Sequence, residues 1–104
     1  MVLTRSFRET VKERLAEDPA FRQALLAEAV TALIEGDLET GKDVLRDFVN
    51  GTVGFDDLAE ETGTPVKSLM RMLGPRGNPT ASNLLAIISA VQRRSGITLE
   101  VRAA

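Results

Sequence analysis

Thr64, Lys67, Ser68 and Arg71 are the residues of this chain whose types and spacing best suit contact with another molecule. They lie in the segment TPVKSLMRMLG. At roughly 100° per residue, these four fall on one side of a helix, and Val66, Leu69, Met72 and Leu73 fall on the other. One face can pack while the other reads. No acid occurs between Thr62 and Leu99 to neutralise the two cations locally.

The charge is divided along the chain. Residues 1–61 hold 7 Lys/Arg against 14 Asp/Glu, and residues 62–104 hold 6 against 1, so the overall charge of -2 conceals an acidic half and a basic half. The division predicts a polyanion partner for the basic part and a different, basic partner for the acidic part; the alternative is that the two parts attract each other.

At 104 residues the chain is one domain by size and can bury a modest core. It has no Cys, so a disulfide framework, a zinc-thiolate site and a thiol nucleophile are all excluded. With no His, Tyr or Trp either, acid-base work at neutral pH would fall to a strongly shifted carboxylate or lysine. The composition therefore points away from an enzyme and implies no cofactor. No apolar run approaches the ~20 residues that span a bilayer, and MVLTRSFRET lacks a signal-peptide core, so a soluble cytoplasmic protein without a membrane partner is expected.

The elements that position the reading face follow from caps and periodicity. Ser6 and Glu9 have capping-box spacing and predict a helix over 7–17, with Phe7, Val11 and Leu15 on one side. Asp18-Pro19 ends it and starts the next, whose stripe is Phe21, Leu25, Leu26, Ala29, Val30, Leu33 and Ile34. Asp37 caps a third helix to about Asn50, with Leu38, Leu45, Phe48 and Val49 inward. A short helix carrying Leu58 and Ala59 stops at Gly63, and Thr64-Pro65 restarts the chain. After the turn residues PRGNPT, Thr80 or Ser82 opens a helix with Leu84, Leu85, Ile87, Ile88 and Val91, ending at Gly96. Ile97 to Val101 alternates and is predicted to be a short strand that adds to another edge, such as the same segment of a second chain.

Several motifs are better read as structure. Gly36 to Lys42, GDLETGK, nearly spells a phosphate-binding loop, but Asp43 replaces the hydroxyl residue that would hold magnesium, and a helix precedes it where a strand is needed. Asp56, Asp57, Glu60 and Glu61 form a solvated helix face rather than a cation site. Asn50-Gly51-Thr52 is a turn. Met70 and Met72 are expected to fill a core or an interface.

LAEETGTPVKSLMRMLG followed by GNPT resembles a Cro/C1-type helix-turn-helix regulator. With DPAFRQALLAEAVTALIEGD and LRDFVNGTVGFDDLAEETG before it and a C-terminal strand after it, the chain resembles the addiction-module antidote proteins, the HigA-like antitoxins, from about Phe7 to Val101. The resemblance implies an all-α fold: a compact helical bundle in which 1–36 is an N-terminal helical extension, 37–96 the helix-turn-helix core and 97–104 the short strand. It also implies a homodimer on double-stranded operator DNA that neutralises a RelE-like toxin protein. By position, Val66, Lys67 and Arg71 would meet base edges, with Ser68 near the backbone; Arg76 and Asn78 would approach phosphate. Pro65 stands where a polar cap is usual, which shifts the cap to Thr64. Val66 stands where a polar reader is usual and suits a thymine methyl. Arg71 best suits bidentate contact with guanine. Glu9, Glu13, Glu17, Glu28, Glu35 and Asp37 are candidate contacts for a basic partner. The alternative function is an interaction module that captures such a partner, with DNA binding secondary or lost.

Overall fold

A computed structural model describes residues 2–104, with side chains from Phe7 onward. The described chain forms six helices: α1 (Val2–Glu17), α2 (Pro19–Ile34), α3 (Leu38–Gly51), α4 (Phe55–Thr62), α5 (Val66–Met72) and α6 (Ala81–Ser95). Helix α1 begins ahead of the expected Ser6 cap, so Ser6 is an interior helical residue whose side chain lies outside the described ones. The starts of α2, α3 and α6 follow their caps. Asp18 accepts from the amides of Ala20 and Phe21 ahead of Pro19, and these bonds, Phe21 foremost, hold its carboxyl below the usual carboxylate range. Asp37 accepts from Thr40 N and Thr80 from Asn83 N. Gly63 and Gly96 end α4 and α6 in the left-handed conformation that costs glycine least.

Helices α1, α2 and α3 pack on one another, α2 against α3 most extensively, while α4 holds both α5 and α6. A single apolar core joins the two groups: Leu15, Leu26, Leu45 and Phe48 from the first meet Leu58, Leu69, Ile87 and Val91 from the second. The radius of gyration is 13.1 Å, as expected for a compact chain of this length. Among the described residues no helix is long and apolar enough to cross a membrane.

Two expectations about apolar residues fail. Phe7, Ile34 and Leu85 belong to the apolar stripes of the sequence, yet they are 67%, 67% and 65% exposed, each at the edge or end of a stripe that extends past the neighbour it covers. The expected strand at 97–101 is also absent: among the described residues there is no strand at all. The alternation holds as far as Glu100, with Ile97 and Leu99 packed on the core and Thr98 and Glu100 exposed, but Val101, which should continue the inward set, is 85% exposed. Lacking a neighbouring edge, the segment folds back on α6, where Leu99 N–H donates to Gln92 Oε1 at 2.8 Å.

The crossing of α1 and α3 depends on a missing side chain. A Cβ at Gly51 would sit 2.5 Å from Leu15 Cδ1 and 3.2 Å from Leu15 Cβ, and Leu15 has no exposed surface into which to turn. Gly51→Ala should therefore destabilise the fold by about 1–3 kcal/mol, measured as a lower denaturation midpoint with an unchanged m-value.

Candidate nucleic-acid interface

The candidate face is built on α5, which is short and needs outside support. Leu69 and Leu73 are buried, and Val66 and Met72 pack part of their surface on the same core. The turn before α5 is set by Gly63, whose N–H donates to Ala59 O at 2.9 Å, and by Thr62, whose hydroxyl donates to Leu58 O and accepts from Thr64 N. The cap position of α5 is Pro65, and no side chain caps it, so the expected shift of the cap to Thr64 does not occur. Thr64 gives its amide to Thr62 and is half-buried.

The far end of α5 is held by α3. Lys42 is 4% exposed, and its ammonium donates to Gly74 O at 2.9 Å and Gly77 O at 2.6 Å. Arg46 reaches Leu73 O at 3.4 Å. These carbonyls belong to the C-cap of α5 and the loop after it, where the helix dipole favours cations, and Gly74 O also accepts from Gly77 N at 3.0 Å. Gly77 lies so close that a Cβ there would meet Arg71 O at 2.1 Å and Met72 O at 2.4 Å, and both oxygens belong to the backbone. The loop of residues 74–79 is thereby folded against the end of α5, which brings Arg76 and Asn78, the neighbours of Gly77, beside the Arg71 main chain.

This arrangement explains GDLETGK. The segment runs from the end of α2 into α3, and its lysine is committed to two carbonyls. A cleft of about 310 Å³ lies alongside, but its walls include Asp37, Glu39 and Asp43, which would repel a phosphate.

The positive charges of the second half have different fates. Arg94 bonds Glu60 at 2.6 Å and Glu61 at 2.8 Å, and Arg93 bonds Glu61 at 2.9 Å, tying α6 to α4. The acids Glu60 and Glu61 thus form a bridge rather than a merely solvated face. The bonds from Arg93 and then Arg94 hold the Glu61 carboxyl below its ordinary range. Among the described residues Lys67, Arg71 and Arg76 form no ion pair, and all three are exposed. Lys67 and Arg71 stand one turn apart on α5, and Arg76 follows in the loop.

Of the other expected site residues, Asn78 is exposed, Ser68 is half-buried, and Val66 is half-buried against the core. Met70, expected to fill a core or an interface, is 49% exposed, which leaves the interface role; it stands between Lys67 and Arg71 in sequence. Residues three and four apart share a helix face, so Met70 belongs to the outward side that the cations already mark. The inward placing of Leu69 and Leu73, already legible from the helical period, is what turns Met70 out.

Replacing Lys42 by Met should take the ammonium from both carbonyls, leaving Gly74 O with only the Gly77 amide and Gly77 O without this donor, and cost on the order of 1–3 kcal/mol. Amide exchange at Gly74 and Gly77 should quicken more than exchange in α2. For Glu61 the folded value is depressed, so its contribution to stability is complete above the ordinary glutamate value and is lost as pH falls through the depressed one. Glu61→Gln should flatten that acid limb of stability, read from denaturation midpoints across the pH range.

Compared with known proteins, the chain matches no family profile, no curated protein and no solved structure.

Proposed function

We propose that the protein is a sequence-specific DNA-binding transcriptional regulator that acts as a homodimer, with α4 and α5 as a helix-turn-helix and α5 as the recognition helix. One observation carries this reading: Lys67, Arg71 and Arg76 remain unpaired and exposed on α5 and the loop folded against it, while Arg93 and Arg94 are neutralised by acids. Lys67 and Arg71 reach base edges in the major groove, Arg71 as the bidentate partner of a guanine; Arg76, Asn78 and Ser68 meet the phosphate backbone. Thr64 and Val66, both half-buried, have smaller parts. So few cations per subunit give weak binding, and a twofold pair reading half-sites one helical turn apart supplies the affinity.

Within that reading the protein is the antitoxin and repressor of a toxin–antitoxin module, and its acidic half takes up a small basic RelE-like toxin. Glu13 and Glu17 on α1, Glu28 on α2 and Glu35 at its C-cap support this. All four are exposed and form no ion pair among the described residues. The same observation favours the second reading, in which capture of a basic partner is the main task and DNA binding is secondary or lost. A neighbouring reading frame for a small basic protein, copurifying with this chain, supports the antitoxin assignment; an isolated gene supports a plain regulator.

The decisive measurement is a titration of a duplex selected by the full-length protein from a random-sequence library. Arg71→Ala should lose about 1–3 kcal/mol of binding and relax preference at one base pair. Unchanged affinity and preference would remove Arg71 from the interface.

A further inference from the structure

Met70 is a large apolar side chain, 49% exposed, on a face otherwise occupied by cations. Lys67 lies three residues before it and Arg71 directly after it, and both are exposed without an ion pair among the described residues. Phosphate oxygens and guanine edges offer such a side chain nothing. In the major groove the apolar feature is the C5-methyl group of thymine, which no other base carries. Val66, the apolar residue that sequence position assigns to that contact, has part of its surface packed on the core and sits a turn earlier. The unbranched thioether of Met70 is flexible and polarisable, so it adapts to a methyl group without demanding one rotamer.

We propose that Met70 determines specificity by apolar contact with a thymine methyl group, at the position between those met by Lys67 and Arg71. This inference rests on the DNA-binding reading above. Because the methyl group is removed from water only when the correct base is present, discrimination is confined to one position per half-site. Burial of a single methyl is worth about fourfold in affinity.

The test uses the full-length protein and the duplex it selects from a random-sequence library, resynthesised with deoxyuridine in place of each thymidine in turn. For the unsubstituted protein, one replacement per half-site should weaken binding about fourfold, and the others should leave it unchanged. Met70→Ala, a change at an exposed position that should keep the melting curve intact, should bind the thymidine and deoxyuridine duplexes equally. Met70→Leu should keep most of the difference. Salt-dependent capture of a duplex with no deoxyuridine effect, or a difference that persists in Met70→Ala, overturns the assignment of Met70 and leaves the DNA-binding reading standing. Failure to retain any duplex, even at low salt, overturns both.

Discussion

The ammonium of Lys42, buried between α3 and the loop after α5, connects two distant parts of the sequence. A lysine taken out of water must find acceptors, and this one finds the main-chain oxygens of Gly74 and Gly77. The bond partners lie more than thirty positions away, so the three-helix half and the short helix α5 are held in one register. Without such support a helix of 7 residues has little stability of its own.

A second constraint acts through charge. The acids of α4 and the arginines at the end of α6 satisfy each other at the surface, where each pair alone contributes little but the group of four fixes an orientation. This internal pairing is in part the attraction between acidic and basic segments that the charge division allowed as an alternative. It leaves Lys67, Arg71 and Arg76 unpaired. The net positive charge of residues 62–104 is therefore concentrated on α5 and its loop more sharply than a count along the chain suggests.

Much of the all-helical architecture was legible because its signals are local. Asp18-Pro19, Asp37, Thr80, Gly63 and Gly96 each act on the nearest turn of backbone, and each marks a helix end where expected. What escaped the sequence depends on distant neighbours. Periodicity placed Ile34 and Leu85 on apolar stripes, but the width of the facing helix decides which members of a stripe are covered. Alternation at 97–101 suggested a strand, but a strand needs an edge, and α6 provides a core surface instead. The candidate face was partly legible: the spacing of Lys67 and Arg71 is a local fact, and the period that places Leu69 and Leu73 inward also turns Met70 out. The buried role of Lys42 had no local signal beyond a lysine on an otherwise apolar face.

The closeness of Gly77 to the carbonyls of Arg71 and Met72 has a thermodynamic consequence for any macromolecule that meets this side of the protein. A loop pressed on a helix end at distances that exclude even a methyl group has surrendered its freedom during folding. Arg76 and Asn78 are consequently presented on a stiff mount, and association need not supply the ordering entropy that a floppy loop would demand. Recognition by such a surface tolerates few cations, because little of their attraction is dissipated in arranging them.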